Sequence, residues 1–310
     1  MIKNFFLSLT LILGVMALVE ATGGTSVSGG PQPKERLVGV TLLTRDVFYQ
    51  ELEKGMLEEA KGRGIKLMVQ SAEKDLNLQT TQVENFIVQG VDALVVCPVD
   101  STGIGSAIER AGKAGIPVFT ADIRAQEARV ICHIASDNHQ GGRLAGEYLA
   151  KLLGYEAEVA IIDHPEVTSV QERVAGFKEA VSRYPGMKIV DDPSAGGDRD
   201  RAMIITQNML LAHPKLRGIF AINDNTALGA MAALEVAGGR EVFIVGYDAT
   251  PEAKQAIRKG GPLKADVIQY PGTIGRVTIG MVAGFLEGQT VPLEIPVETG
   301  IVDKESLARE

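Results

Sequence analysis

The feature that most constrains the fold of this chain is an alternation between short apolar runs and amphipathic stretches, which begins at Leu37. The apolar runs are rich in Val and Ile, a composition typical of parallel strands buried on both faces. The stretches between them place apolar residues at helical spacing, for example Phe48, Leu52 and Met56. Alternating strands and helices favour parallel sheets covered by helices on both faces, so we predict an α/β fold with doubly wound parallel sheets.

The alternation falls into two consecutive blocks of similar size. In the first block, strands are predicted at 37–43, 65–70, 93–97, 117–121 and 129–134, and helices at 47–61, 77–89 and 103–113. In the second block, strands are predicted at 158–163, 187–190, 218–222, 242–246 and 264–268, and helices at 138–153, 169–183, 199–213, 226–236, 250–259 and 271–287, before an extended tail. Two such blocks leave a cleft between them, and ligands of α/β sheets bind beyond the carboxyl ends of the strands.

The composition narrows the classes of partner and cofactor. The chain has 310 residues, enough for two domains, and a net charge of −8. Because affinity for phosphates requires clustered Lys and Arg, we expect no nucleic-acid partner. Two separated cysteines, Cys97 and Cys132, without paired histidines are a poor metal site. They are predicted to be free thiols, with Cys132 buried and Cys97 near a strand terminus, and neither a metal nor a cofactor is expected.

The N-terminus has the pattern of an export signal. Lys3 precedes an apolar stretch at residues 5–19, and small residues follow at a cleavage-like position. A spanning helix requires about 20 apolar residues, so we predict a signal peptide over 1–21 and a periplasmic or otherwise extracytoplasmic protein. An uncleaved membrane anchor is the alternative, because Glu20 lies close to the predicted cleavage site. Residues 22–35, which are rich in Gly, Ser and Pro, are predicted to be a flexible linker.

Three predicted strands end at or close to a polar side chain. These side chains are Asp122, the pair Asn223–Asp224, and Asp248. A carboxylate accepts two hydroxyl hydrogen bonds at once, which suits neighbouring hydroxyl groups of a sugar. No nucleophile or phosphate loop accompanies these groups. The sequence therefore indicates binding of a neutral, hydroxyl-rich molecule.

Helix capping is the structural alternative for these polar groups. No helix is predicted directly after Asp122, and the helix after Asp248 has its own cap and first residue in Thr-Pro at 250–251. Either Asn223 or Asp224 can cap the helix that follows them. We therefore assign one of the two to structure and the other to the ligand.

Three further side chains are predicted at the cleft. Arg173 lies early on a helix opened by Ser169–Glu172, a stretch that fits a capping box. Its guanidinium offers several donors to ring oxygens and hydroxyls, and a surface arginine is the alternative. Phe48 and Tyr49 begin the first helix, where aromatic rings either pack on the C–H face of a sugar or split between core and surface.

Several stretches of the chain together are characteristic of one protein family. They are HIASDN (133–138), ERVAGF (172–177), TQNMLLAHP (206–214), FAINDNTALGA (220–230), VGYDATPEA (245–253) and VIQYPGTIG (267–275). Through them, residues 36–302 resemble the periplasmic sugar-binding proteins of the ribose type. The resemblance implies a type I periplasmic-binding fold, in which three strand crossings join two lobes. The N-terminal lobe would comprise 36–136 and 270–298, and the C-terminal lobe 137–269 and 299–310.

The resemblance also implies a function and a set of contacts. Such proteins are monomers without catalytic activity that close on one monosaccharide or small polyol and deliver it to an ABC permease, in some members also to a chemoreceptor. Carried over position by position, the ligand contacts are Asp122, Arg173, Asn223, Asp248 and Gln269, with Phe48 and Tyr49 as aromatic walls. This assignment gives Asn223 to the ligand and Asp224 to the structure.

The chain departs from the ribose type around the predicted site. Leu42 replaces a small polar residue, Asp46 and Cys97 replace asparagines, Tyr49 a phenylalanine, Ile123 an arginine and Gly197 an aromatic residue. We expect Asp46 to face the cleft as an additional acceptor. Because Leu42 and Ile123 remove hydrogen-bonding groups, we predict that another pentose, a hexose or a polyol binds more tightly than D-ribose.

Two other classes of protein share this fold. A sugar-sensing domain, in chemotaxis or in a regulator of the lac-repressor-like type, is the main rival. Such a regulator requires a basic N-terminal helix-turn-helix, where this chain has an apolar leader. A carbohydrate-active enzyme would use Asp122 and Asp248 as its pair of carboxyls, but nothing in the sequence marks either one for catalysis.

Overall fold

The computed structural model describes residues 35–238 and 241–309. The predicted signal peptide lies outside the described residues, as does the predicted linker except for its last residue. No helix within the described ranges combines the length and the apolarity needed to cross a membrane.

The first half of the chain alternates strands and helices as the pattern predicts. Its elements are β1 (Arg36–Leu42), α1 (Val47–Gly62), β2 (Ile65–Ser71), α2 (Leu76–Gln89), β3 (Ala93–Val96), α3 (Gly105–Lys113), β4 (Val118–Ala121), β5 (His133–Ser136) and α4 (Asn138–Leu152). The second half continues with β6 (Glu156–Ile162), α5 (Thr168–Ser182), β7 (Gly186–Asp191), α6 (Arg199–Ala212), β8 (Leu216–Ala221), α7 (Asp224–Val236), β9 (Phe243–Asp248), α8 (Pro251–Lys259), β10 (Leu263–Ile268), α9 (Pro271–Leu286), β11 (Glu294–Val297), β12 (Gly300–Asp303) and α10 (Lys304–Leu307).

The strands form two six-stranded sheets. The first has the order β11-β5-β4-β3-β1-β2, and all of its pairs are parallel. The second has the order β12-β10-β9-β8-β6-β7, and it is parallel except for the edge strand β12, which runs antiparallel to β10. Buried apolar clusters lie on both faces of each sheet. The doubly wound α/β architecture predicted from the sequence is confirmed.

The chain passes between the two sheets three times. β5 belongs to the first sheet, but the helix after it, α4, packs on α5 and against strands of the second sheet. β10 belongs to the second sheet, whereas α9 packs on α1 beside the first. Only residues 298–299 separate β11 in the first sheet from β12 in the second. Two lobes joined by three connections result.

Close packing of α4 on α5 fixes the backbone that carries Arg173. A Cβ atom on Gly142 would lie 1.9 Å from the carbonyl oxygen of Arg173, and a Cβ atom on Gly176 would lie 2.1 Å from that of His139. Glycine is therefore required on both helices at this contact. The packing of α4 on α5 thus fixes the first turns of α5 near the end of the second sheet, where the predicted cleft lies.

The structure differs from the sequence predictions near the lobe connections. The strand predicted at 129–134 begins only at His133, although the amide of Ile131 still donates to the carbonyl of Val118 over 2.7 Å. The predicted extended tail contains β11, β12 and the short helix α10. These short strands form only by pairing with distant strands, which a local pattern of residues does not reveal. Cys97 and Cys132 are free thiols and Cys132 is buried, as predicted; Cys97 directly follows the end of β3, also as predicted, and is buried too.

Candidate ligand site

A cavity of about 70 Å³ lies where the carboxyl ends of the two sheets face each other. On this measure one water molecule requires roughly 10–15 Å³, so the cavity admits a small molecule. All of the residues predicted as ligand contacts line it, namely Asp46, Phe48, Tyr49, Asp122, Arg173, Asn223, Asp248 and Gln269. The first four come from the N-terminal half and are called the first wall here; the other four are called the second wall.

Asp122 is the central acceptor of the first wall. It follows β4 directly with a positive φ of 67°, a conformation that few residues other than glycine adopt. Its Oδ2 accepts a hydrogen bond from the hydroxyl of Tyr49 over 2.6 Å, while its buried Oδ1 has no hydrogen-bond partner among the described residues. Burial raises the pKa of the Asp122 carboxyl, and the Arg173 guanidinium and the Tyr49 hydroxyl oppose that shift.

The remaining first-wall residues lie at the start of α1. Asp46 is the N-cap, and its Oδ1 accepts from the amide of Tyr49 over 3.2 Å. Phe48 and Tyr49 are both buried, and their rings meet edge to face with centroids 5.3 Å apart. Burial raises the pKa of Asp46, which is one of three carboxyls that line the cavity. This wall thus combines acceptor oxygens with aromatic surface.

Arg173 is held from three sides within the second wall. Its Nε donates to Oδ1 of Asn138 over 2.9 Å, and its Nη1 donates to the carbonyl of Ile222 over 2.8 Å. The guanidinium carbon lies 3.8 Å from the centre of the Tyr247 ring, a distance typical of a cation–π contact. The residue is only 5% exposed, so the alternative of a surface arginine is excluded. The predicted capping box is wrong, because α5 begins at Thr168 and Val167 caps it without a side-chain hydrogen bond.

Asp248 is bound by its neighbours on both oxygens. Gln269 donates through Nε2 to Oδ1 over 2.7 Å, and the amide of Asp224 lies 3.5 Å from Oδ2. The Nη1 atom of Arg173 lies 3.8 Å from Oδ1. Burial raises the pKa of Asp248 well above its ordinary value, and the nearby guanidinium opposes the shift. The buried Oε1 of Gln269 has no hydrogen-bond partner in the described part of the chain.

Asn223 is both the cap of α7 and a residue of the cavity lining, two positions that the sequence analysis divided between Asn223 and Asp224. Its Oδ1 accepts from the amide of Thr226 over 2.9 Å as the N-cap of α7, in a complete capping box. Its Nδ2 lies 3.4 Å from the carbonyl of Gly197, at the cavity. Asp224 is buried as the first residue of α7 and does not line this cavity. The residue that caps the helix is therefore the one beside the cavity.

The sequence analysis missed two charged or titratable residues of the cavity, Lys74 and His164. Each comes shortly after a strand, β2 and β6 respectively. The Nζ atom of Lys74 lies 3.5 Å from the carbonyl of Gly197 on the opposite lobe. The strand-end rule that selected Asp122 would have found both.

Two of the altered positions do not reach the cavity. Leu42 and Cys97 are fully buried in the core and are absent from its lining, whereas Ile123 and Gly197 line it. Of the two residues that were expected to remove hydrogen-bonding groups, only Ile123 is therefore at the cavity surface.

A network of hydrogen bonds joins the lobes beside the cavity. Thr168, at the start of α5, donates from its amide to the hydroxyl of Ser101 over 2.9 Å and accepts at Oγ1 from the amide of Arg124 over 3.0 Å. The amide of Ser101 donates to the carbonyl of Glu166 over 3.1 Å. Ser101 and Arg124 belong to the N-terminal half, so this seam holds the cleft closed in the structure.

Comparisons with known proteins agree on one family. A family model described as "Periplasmic binding protein domain" matches residues 38–290. The ribose import binding protein RbsB of Salmonella typhimurium is 35% identical over 290 residues, which cover 93% of this chain and 97% of the relative. A solute-binding protein of an ABC transporter from Bacillus halodurans, with bound myo-inositol, has a TM-score of 0.84 and 29% identity, covering 90% of this chain and 98% of that one. Another, from Actinobacillus succinogenes with bound D-allose, has a TM-score of 0.82 and 32% identity, covering 89% and 100%.

Proposed function

Because this chain belongs to the periplasmic binding protein family, we propose that it is a receptor which captures a monosaccharide or small polyol and delivers it to an ABC importer. The observation that carries the proposal is the state of Asp122, a residue of the cavity lining whose buried Oδ1 has no donor among the described residues. Leaving such an atom unpaired costs roughly 1–3 kcal/mol. A ligand hydroxyl supplies the missing donor.

A hydroxyl-rich ligand suits the remaining groups of the cavity as well. Asp46 and Asp248 are acceptors, the guanidinium of Arg173 is a donor, and Oε1 of Gln269 is a second unpaired acceptor. A hydroxyl group both donates and accepts, so a ring or chain with several hydroxyls satisfies acceptors on both walls at once. Phe48 and Tyr49 supply apolar surface for the C–H face of such a molecule.

The ligand we propose is a pentose other than D-ribose, a hexose or a polyol. Ile123 lines the cavity without offering a hydrogen bond, and Gly197 lines it without a side chain, with Asn223 and His164 next to the place that a Cβ atom would take. Asp46 adds an acceptor at the same rim. The similar proteins of known structure hold D-allose and myo-inositol, which belong to the same chemical class.

Ligand capture is proposed to close a hinge between two lobes, 36–136 with 270–298 and 137–269 with 299–310. The seam between Ser101 and Thr168 forms only when the lobes meet, so a ligand that bridges both walls favours the closed state. Small-angle scattering should show a smaller radius of gyration with ligand, and the scattering mass should correspond to a monomer. An unchanged radius at saturation counts against closure.

The site of action is proposed to be outside the cytoplasm. The support is the export pattern of residues 1–21, together with the periplasmic family to which the chain belongs. The partner is proposed to be an ABC permease, and delivery to a chemoreceptor is a secondary role in this scheme. Fractionation of expressing cells tests the location, and retention in the cytoplasm would contradict it.

The function is tested by a thermal-shift panel of D-ribose, D-allose, myo-inositol, xylitol and other hexoses and alditols. A ligand present at about 100 times its dissociation constant should add roughly 2.7 kcal/mol to the free energy of unfolding. We expect at least one compound to do so, more strongly than D-ribose, and to be recovered chemically unchanged after incubation. Conversion of the compound would indicate an enzyme, and a tightest fit to D-ribose would contradict the proposed specificity.

A further inference from the structure

Two buried carboxyls lie together behind Asp248, outside the ligand cavity. Asp266 stands in the middle of β10 and is 0% exposed, and Asp224 begins α7 and is 4% exposed. Each accepts one backbone amide of the turn after β9. The amide of Thr250 donates to Oδ2 of Asp224 over 2.7 Å, and the amide of Ala249 donates to Oδ1 of Asp266 over 3.1 Å.

The other oxygen of each carboxyl has no donor. Oδ1 of Asp224 and Oδ2 of Asp266 are buried without a hydrogen-bond partner among the described residues, apart from the contact of the two carboxyls with each other. Two ionised carboxylates have no hydrogen to place in such a contact, and they repel each other. A single shared proton makes one of them a donor and satisfies both oxygens.

The surroundings of the pair favour the protonated form. A Cβ atom on Gly246 would lie 2.6 Å from Oδ2 of Asp266, so the neighbouring strand packs tightly on this carboxyl. Asp248 and Glu252, from β9 and α8, bring further negative charge. The cation Arg199, which interacts with Asp224, is paired with Glu252 over 2.7 Å, and Arg173 lies against Asp248. Burial raises the pKa of Asp266 well above the ordinary value, and Asp224 adds to the shift.

The turn that the pair binds contains Asp248, the carboxylate proposed to bind the ligand. The backbone of this turn has an unfavourable conformation. Asp248 has a φ of 111° and Ala249 a φ of 55°, both in the region that favours glycine. The amides of residues 249 and 250 are the two donors to the pair, and the amide of Asp224 lies 3.5 Å from Oδ2 of Asp248. The pair therefore fixes the turn from one side and the side chain of Asp248 from the other.

We propose that Asp224 and Asp266 share one proton and act as positioning residues that hold Asp248 in its cavity-facing conformation. The protonation itself is independent of the function proposed above, whereas the positioning role rests on it. A purely space-filling role for Asp266 would tolerate an apolar residue of similar size, so the two roles predict different variants to be harmful.

Infrared spectroscopy and pH-dependent unfolding of the ligand-free protein test the shared proton. The wild type should show a carboxylic C=O stretching band near neutral pH that is lost in Asp266→Asn, whose amide replaces the shared proton as donor to Asp224. Asp192→Asn, at an exposed carboxylate paired with Lys178, is the matched control and should keep the band. A spectrum without this difference overturns the proposal.

The dependence of stability on pH tests the shared proton independently, because the direction of the expected change is known. A carboxyl whose folded pKa is raised binds more protons when folded than when unfolded, so its contribution to stability falls as the pH rises above about 4, the ordinary Asp pKa. The melting temperature of Asp266→Asn should therefore rise relative to that of the wild type as the pH increases from acid to neutral. A difference that does not change with pH contradicts the shared proton.

Calorimetry with D-allose and myo-inositol as probes tests the positioning role. Asp266→Val should bind the responding probe at least tenfold more weakly than the wild type, and Asp266→Asn should recover most of that loss. Equal loss in both variants, or none in Asp266→Val at unchanged melting temperature, overturns the positioning role. If neither probe binds the wild type, the proposed ligand class fails, and the infrared band still decides whether the proton is shared.

Discussion

The two walls of the cavity differ in how far the protein alone satisfies their polar groups. On the first wall, Asp122 has one hydrogen bond, from Tyr49, and one buried oxygen without a donor. On the second wall, Asp248 is bound at both oxygens, and Arg173 is held by Asn138 and the carbonyl of Ile222. The second wall is therefore largely preorganised by the fold, apart from the unpaired Oε1 of Gln269, whereas the central acceptor of the first wall lacks a donor that a ligand can supply.

This difference has a consequence for mutations. Changes on the second wall should reduce stability and ligand affinity together, because their hydrogen bonds also hold the fold. Changes on the first wall should act mainly on affinity. Preorganised polar groups reduce the free-energy cost of binding. Both walls are therefore expected to contribute to affinity, but only the second wall is expected to contribute strongly to the free energy of unfolding.

The largest effect is expected for Arg173→Ala on the second wall. Removing one partner of a buried charged pair leaves Asp248 uncompensated and should cost about 3–5 kcal/mol of unfolding free energy, together with most of the ligand affinity. Arg183→Ala at the C-cap of the same helix is the control, since Arg183 is exposed and pairs with Glu147 and Glu179. It should change stability by less than about 0.5 kcal/mol. Denaturant unfolding that gives equal losses for both variants would contradict the role of the second wall.

The next largest effect is expected for Asp122→Ala on the first wall. It should reduce affinity by about 1.5–3 kcal/mol, roughly tenfold or more, because a charge-assisted hydrogen bond to the ligand is lost. Its effect on unfolding should be smaller than that of Arg173→Ala, since the hydrogen bond from Tyr49 is the only one that the Asp122 side chain accepts within the described part of the chain. Titration calorimetry that finds full affinity would remove Asp122 from the site.

The free energy of unfolding should depend on pH in opposite directions through His133 in the first sheet and Asp266 in the second. Burial is the main cause that lowers the pKa of His133, which begins β5, to about 3. The unfolded chain, with an ordinary histidine pKa near 6.5, binds the proton more readily, so stability is lost as the pH falls below that value. The loss should be about 2 kcal/mol at pH 5, opposite in sign to the contribution of Asp266.

His133→Gln should remove most of this acid sensitivity. His139→Gln, at an exposed histidine on α4, is the control and should keep the wild-type profile. Chemical unfolding at several pH values measures both, and identical profiles for the wild type and His133→Gln would contradict a neutral buried imidazole.

The smallest effect is expected for Tyr49→Phe. It removes the hydroxyl that donates to Oδ2 of Asp122 over 2.6 Å while keeping the ring at the cavity. A loss of about 0.5–1.5 kcal/mol in affinity is expected, the net contribution of one hydrogen bond. Tyr155→Phe is the control, since Tyr155 is half-exposed and does not line the cavity, and it should leave the ligand affinity unchanged. Affinity that stays unchanged in Tyr49→Phe would mean that Asp122 does not need this donor.

Much of the fold could be predicted from the sequence because strand and helix patterns are local. The predicted bounds of α1 and α5 lie within one residue of the observed ones. The edge strands β11 and β12 and the start of β5 were missed, since each is defined by pairing with residues distant in the chain. The antiparallel direction of β12 follows from its place just after a lobe crossing, which no local pattern contains.

The position of the candidate site could be predicted from the sequence, but the hydrogen bonds among its residues could not. Polar residues at strand ends and the family resemblance together identified lining residues on both walls. The sequence did not reveal that Asn223 is itself the helix cap, nor that Asp224 binds the turn after Asp248. It also did not reveal that Leu42 and Cys97 lie behind the cavity surface. Such details depend on side-chain directions within the packed structure.

The central claim is that a hydroxyl-rich ligand completes the hydrogen bonding of the first wall. The most direct test is a crystal structure of the protein with the tightest binder of the thermal-shift panel. The account predicts a ligand hydroxyl within hydrogen-bonding distance of Oδ1 of Asp122 and a second polar contact to the Asp248–Gln269 pair on the opposite wall. A ligand bound elsewhere, or one that leaves Oδ1 of Asp122 unpaired in the closed cleft, would contradict the account.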